Sequence, residues 1–214
     1  MISPLLSNLY LHWFDKVFCR PNGPGEWANA KLVRYADDFV VLTRYPSKAI
    51  AQFVESKLEQ WMGLELNRDK TRVVDLKQTG ASLDFLGYTF RYDRDWYGRG
   101  QRHLSVIPSK KALLKQRGVL RVVTSSRYCF MPIPEVIQSI NRSLQGWGAY
   151  FRIGYPQKAY RNLNYYVQQR LRIHLSRRSQ RGYRAPQGVS LYAHLRQLGL
   201  QSLSLPRVSG RLFT

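Results

Sequence analysis

The sequence predicts an α+β protein in two parts: helices with an antiparallel sheet over residues 1–107, then an all-helical part over 108–214. Two observations predict it. Up to residue 107, short β-rich runs alternate with stretches of helical periodicity, whereas from Pro108 onward apolar residues recur only at three- and four-residue spacing. Charge divides along the same line: residues 1–95 hold 13 basic and 12 acidic residues, and residues 96–214 hold 21 and one, Glu135.

Taken in order, Ser3-Pro4 reads as a helix start, with proline at the first helical position, and Leu5, Leu9, Trp13 and Val17 repeat every four residues over a helix of about 3–18. Pro21 to Asn29, rich in Gly and Pro, reads as a loop. Leu32 to Tyr35 and Phe39 to Leu42 are two short strands joined by Ala36-Asp37-Asp38, a hairpin with carboxylates at its turn. Ile50, Val54, Leu58 and Trp61 mark a helix over about 47–62, capped by Gly63. Leu64-Glu65-Leu66 and Arg72 to Leu76 read as strands around the turn Asn67 to Lys70. A strand carrying Leu86, Tyr88, Phe90 and Tyr92 pairs with Leu104 to Ile107. Helices are predicted over about 109–123, around Ile137, Ile140, Leu144, Trp147 and Phe151, around Leu163, Val167, Leu171 and Leu175, and over about 189–198. The stretch 178–188, basic and interrupted by Gly and Pro, is a loop.

The net charge of +21 over 214 residues exceeds what an enzyme of small molecules needs and implies a polyanionic partner. With one carboxylate after Asp95, the second part cannot host paired-carboxylate chemistry by itself. Two cysteines, Cys19 and Cys129, do not make a disulfide framework, and the four histidines are scattered. No run of about 18 apolar residues and no secretory leader is evident, so a soluble, non-secreted protein is expected.

Adjacent aspartates between two hydrophobic strands repel one another unless a cation sits near them. Hard oxygen ligands fixed by a sheet suit Mg²⁺ that is also held by substrate phosphates, and so fit two-metal phosphoryl transfer. A plain solvated turn is the alternative reading of Asp37 and Asp38.

Tyr35-Ala36-Asp37-Asp38 followed by Phe-Val-Val-Leu resembles the palm hairpin of reverse transcriptases, and the flanks narrow the likeness. Residues 1–11, beginning Met-Ile-Ser-Pro-Leu-Leu, are similar to the end of a nucleotide-pocket motif and the helix behind it. Leu64 to Thr71 is similar to the Lys-Thr motif, and Phe85-Leu86-Gly87-Tyr88 to the primer-grip hairpin. Ile140 to Phe151, centred on Gly146-Trp147, is similar to the maturase thumb of group II intron proteins. The likeness runs from residue 1 to about 178 with the motifs in family order. It implies a partial reverse-transcriptase palm over 1–107 and a maturase thumb over 108–214.

The resemblance implies roles residue by residue. Asp37 and Asp38 would be catalytic metal ligands for Mg²⁺, in a two-metal site whose remaining ligand aspartate is absent from this chain. Lys70 would approach the triphosphate. Tyr35, Ala36, Ser3, Pro4, Phe85, Leu86, Gly87 and Tyr88 would contact substrate, although a helix start explains Ser3 and Pro4 and sheet core explains Phe85 to Tyr88. The fingers and front palm segment of the family are expected to be missing, and would be a partner. So would group II intron RNA, an RNA template and a DNA primer. The location implied is the bacterial cytoplasm or an organellar matrix.

In the basic part, Arg170, Arg172, Arg177, Arg178, Arg181 and Arg184 are interleaved with Tyr165, Tyr166 and Tyr183, and Arg142 and Arg161 add to them. Guanidinium forks suit phosphates and rings stack on unpaired bases, so structured RNA is favoured over a membrane surface. A generic solvated cationic face is the alternative. Three functions remain open: a reverse transcriptase part, a catalytically inactive RNA-binding splicing remnant, and an RNA-binding protein unrelated to polymerases.

Overall fold

The computed structural model describes residues 3–45, 47–94 and 101–205, which form an α+β protein of helices and small antiparallel sheets. It divides into two compact units, residues 1–78 and 79–214. The sequence draws its boundary at 107/108 instead; the sheet of residues 83–108 packs within the second unit.

In the first unit, α1 (Ser3–Cys19) is followed by a single helical turn, α2 (Pro24–Trp27), inside the stretch predicted to be loop. Strands β1 (Lys31–Tyr35) and β2 (Asp38–Leu42) pair antiparallel with Tyr35 opposite Asp38, leaving Ala36-Asp37 as a two-residue connection. Helix α3 (Lys48–Glu55) continues into a π-helical segment, Ser56–Trp61. Ile50, Val54, Leu58 and Met62 are all buried at four-residue spacing. That spacing drifts about 40° per step around an α-helix, and the wider π turn corrects the drift and keeps the row facing the core. The helix ends where predicted, with Gly63 at φ +66° and the Leu64 amide donating to the Leu58 carbonyl.

The core of this unit is Leu11, Phe14, Phe18, Ala30, Ile50, Val54, Leu58 and Met62. The predicted stripe on α1 is corrected: Leu5 and Leu9 are exposed, and Leu11, Phe14, Val17 and Phe18 face inward. Spacing of three and four, with rings at 14 and 18, outweighs an unbroken spacing of four. Trp61, predicted as core, is exposed on one side and stacks on Trp13 with ring centroids 3.4 Å apart.

Residues 64–66 and 72–76 are also corrected, since neither is a strand. Leu64 and Leu66 pack on the core without pairing. Among the described residues no strand pairs with either segment, and alternation without a ladder does not make a strand.

In the second unit, β3 (Leu83–Phe85), β4 (Tyr88–Arg94) and β5 (Arg102–Pro108) form an antiparallel sheet in that order. Leu86 is thus a turn residue rather than part of the alternating strand. Among the described residues four α-helices follow, α4 (Lys110–Val123), α5 (Ile133–Tyr150), α6 (Gln157–Arg177) and α7 (Leu191–Gln197), with a 3-10 turn, Ser126–Tyr128, between the first two. Ser109 and Ser190 cap α4 and α7, each accepting from the backbone amide three residues on. Leu120, Ile137, Ile140, Leu144, Leu163, Leu171 and Leu195 lie at the centre of the helical core. The predicted apolar rows of α5 and α6 are the rows that face it.

Candidate active site and nucleic-acid surface

Parity along β1 sets the first hairpin. Leu32 and Arg34 turn toward the core side while Lys31, Val33 and Tyr35 face solvent. A guanidinium on an inward face requires partners, and Arg34 has them. Its Nε donates to Asp15 Oδ1 at 2.9 Å and its Nη2 to Asp15 Oδ2 at 2.6 Å. Its Nη1 donates to Asn8 Oδ1 at 2.9 Å and to the Ala36 carbonyl at 2.8 Å. Asn8 and Asp15 lie seven residues apart on α1 and so share one face of it. The hydrogen bond to Asp15, helped by that carboxylate's charge, raises the Arg34 pKa above its ordinary value against the opposing effect of burial.

The connection so held carries Asp37 and Asp38, both exposed. Ala36 has φ +54°, the sign that primed two-residue hairpin turns demand at their first central position. For an L-residue that conformation costs on the order of 1–2 kcal/mol. Tyr35 stands out from the sheet, exposed beside the two carboxylates. Two adjacent carboxylates presented to solvent are a suitable but partial donor set for a hard divalent cation. Among the described residues no cluster of three His, Cys, Asp or Glu side chains could complete one.

Lys70 lies in a separate loop whose backbone turns on Asn67, with the Lys70 and Thr71 amides donating to the Asn67 carbonyl at 3.1 and 3.0 Å. Arg68 fastens that loop to α3 and its continuation through Glu55 at 2.8 Å and Glu59 at 2.9 Å. Ser3 and Pro4 open α1.

Phe85 to Tyr88 form the second hairpin turn, with Leu86 at φ +49° and Gly87 at +80°. The Tyr150 hydroxyl donates to the Leu86 carbonyl at 2.9 Å, the Ser109 amide donates to the Gly87 carbonyl at 2.8 Å, and the Tyr88 hydroxyl donates to the Tyr150 carbonyl at 2.5 Å. Burial raises the Tyr88 pKa, with Tyr150 adding to the effect. Beside this turn opens a groove of about 610 Å³, lined by Phe85 and Leu86, by Lys111 and Lys115 of α4, and by Gly146 and Trp147 of α5.

The eight arginines expected to touch RNA fall into two groups. Arg142, Arg161, Arg172, Arg177, Arg181 and Arg184 are exposed. Arg170 instead closes the C-terminal end of α4, with Nε donating to Thr124 Oγ1 at 3.0 Å and Nη2 to the Thr124 carbonyl at 3.3 Å. Arg178 donates to the Met131 carbonyl. Of the three tyrosines, Tyr165 is exposed, whereas Tyr166 packs on the helical core under Arg117 and the Tyr183 hydroxyl meets His194 Nε2 at 2.8 Å. Arg161, Tyr165 and Arg172 lie four and seven residues apart and share one exposed face of α6.

The sequence does not single out Arg34, Asn8 and Asp15, although a cation at an inward strand position directly before the aspartates is a legible signal. His174, one of the scattered histidines, is a buried packing residue, with Nδ1 3.3 Å from the Thr124 carbonyl and Cys129 Sγ 3.9 Å away. Burial depresses its pKa, and Arg178 and Arg170 push it further down.

Residues 1–90 match the reverse transcriptase (RNA-dependent DNA polymerase) family, and residues 115–189 match the group II intron, maturase-specific domain. Both hairpin turns fall in the first match, and the core residues of α5 and α6 fall in the second. A reverse-transcriptase segment followed by a maturase segment defines a class of RNA-handling protein. Together the two matches support a group II intron reverse transcriptase/maturase. It is also similar to Protein YkfC of Escherichia coli (strain K12), at 30% identity over 141 residues that cover 52% of this chain and 36% of that protein. The chain thus spans about a third of the length of the curated relative it matches. Among the described residues no helix is long and apolar enough to cross a membrane.

Proposed function

We propose that this chain binds group II intron RNA and contributes part of the two-metal site of an RNA-directed DNA polymerase. The observation that carries the reading is the pair of carboxylates, Asp37 and Asp38, held out to solvent on a turn fastened from behind by Arg34. These two side chains would hold Mg²⁺, which supplies charge neutralisation to the phosphoryl group in transfer. Tyr35 and Ala36 would flank the primer end, and Ser3 and Pro4 would line the edge of the nucleotide pocket. Lys70, on its separately anchored loop, would bring a cation to the triphosphate. Phe85 to Tyr88 would support the primer strand, with the RNA template paired to it. The exposed arginines, with Tyr165 on the same face as Arg161 and Arg172, would meet intron phosphates and unpaired bases.

The 214-residue chain with Mg²⁺ and a primer-template is expected to give no extension, because its carboxylates are too few. Adding a polypeptide that supplies the further palm aspartate is expected to restore extension, and Asp37→Asn is then expected to abolish it with RNA affinity unchanged. Extension by the chain alone overturns the two-carboxylate reading.

The exposed arginines fit equally a second reading, a catalytically inactive RNA-binding splicing factor. Intron binding with no extension under any complementation selects it. For the RNA surface, neutralising Arg161, Arg172, Arg177 and Arg181 is expected to flatten the slope of log affinity on log salt by about 0.7–0.9 for each phosphate that no longer meets a cation. An unchanged slope leaves only a solvated face.

A further inference from the structure

We infer that Arg34 is a positioning residue for the Asp37–Asp38 turn, holding Ala36 in its left-handed conformation and thereby fixing the two carboxylates. The inference deepens the proposed metal role of those carboxylates and rests on it.

Ala36 takes a φ of +54° that glycine, asparagine or aspartate adopts more readily, and its methyl group can form no local hydrogen bond to compensate. Something outside the turn must therefore select this conformation. The Ala36 carbonyl accepts from Arg34 Nη1 at 2.8 Å, and the same guanidinium grips Asp15 through Nε and Nη2 and reaches Asn8 through Nη1. One planar fork thus ties two side chains of α1 to the carbonyl that precedes Asp37. The pair is sheltered, with the Arg34 and Asp15 side chains 13% and 29% exposed. A lysine would keep the charge beside Asp15 but has a single ammonium, which cannot address both ends of this span at once. A merely structural ion pair between α1 and β1 would need Asp15 alone; the bond to Ala36 is the part such a role leaves unexplained.

The test is nuclear magnetic resonance on the full chain as wild type, Arg34→Lys, Arg34→Gln, Arg34→Gln/Ala36→Gly and Asp37→Asn. Two readouts are taken: the Ala36 HN–Hα coupling with its Cα and Cβ shifts, which report φ, and the broadening of the 35–38 amides by Mn²⁺. Wild type should show a left-handed Ala36. Both single Arg34 variants should lose that signature and bind Mn²⁺ roughly tenfold more weakly while the Phe14 and Phe39 core signals stay in place. Ala36→Gly should restore most of the binding in the Arg34→Gln chain, because glycine enters the left-handed region without help. A folded Arg34→Lys or Arg34→Gln chain that keeps both the Ala36 signature and the wild-type Mn²⁺ response overturns the inference. Should Arg34→Gln fail to fold, Arg34→Lys, which keeps the charge beside Asp15, decides alone. A wild-type response to Mn²⁺ no stronger than that of Asp37→Asn sinks the metal reading instead, and the Ala36 signature still decides whether Arg34 governs the turn.

Discussion

The hairpins at Tyr35–Asp38 and Phe85–Tyr88 each close on two residues with a positive φ on a non-glycine residue, Ala36 at 54° and Leu86 at 49°. In each, the carbonyl of that residue accepts a side-chain hydrogen bond from elsewhere in its own unit, from Arg34 in the first and from Tyr150 in the second. The means differ otherwise. The second turn has Gly87 in its other central position, pressed against the Phe151 ring, and is covered by aromatic side chains. The first has no glycine and no cover; it displays two carboxylates and is gripped from behind by a charged fork. A turn whose tip stays open to solvent cannot be secured by burying it. Its strain is offset instead by directional bonds on the far side.

The largest expected stability effect strikes the covered turn. Gly87→Ala places a Cβ 3.2 Å from the Phe151 Cζ at a φ of +80°, so the second unit should lose about 1–3 kcal/mol. Denaturant unfolding followed by Trp147 fluorescence measures this, and a loss below about 0.5 kcal/mol would show that the turn is not tightly covered.

The next effect separates the units by pH. The folded His174 imidazole is held below its ordinary 6.5 by burial and by Arg170 and Arg178, so the folded second unit takes up that proton less readily than the unfolded chain does. The stability this contributes is full above about 6.5 and is lost as pH falls toward the depressed folded value. Thermal melts between pH 7.5 and about 5 should show the second unit weakening, and His174→Gln should flatten that dependence. An equal slope in the variant assigns the pH dependence to other groups.

Tyr150→Phe tests the anchor of the covered turn by removing the donor to Leu86, for an expected loss of about 1 kcal/mol with the sheet retained. No change would mean that Gly87 and the Ser109 amide suffice. The smallest effect belongs to the open turn. Ala36→Gly relieves the left-handed strain but loosens the unfolded chain, so the first unit should gain only about 0.5 kcal/mol. A loss of more than about 1 kcal/mol would mean that Ala36 is not strained.

The sequence by itself determined the α+β class, the Tyr35–Asp38 hairpin, the pairing of β4 with β5, the buried faces of α5 and α6 and the concentration of positive charge in the second part. Each is a local or compositional property: strand parity, helical period, the two-residue loop, the count of basic residues. Tertiary structure decided the rest. Which face of α1 is buried depends on Phe14 and Phe18 finding Phe39 and Phe53 across the core. Residues 64–66 and 72–76 alternate like strands but pair with no strand among the described residues. Arg170 and Arg178 read as RNA-contacting cations, and only the folded chain sets them against the carbonyls of Thr124 and Met131. The hold of Arg34 on the carboxylate turn was half legible, since parity places the cation inward, but its partners Asn8 and Asp15 lie 26 and 19 residues away. Periodicity says which way a side chain faces; only the folded chain brings distant partners within the roughly 3 Å over which a hydrogen bond forms.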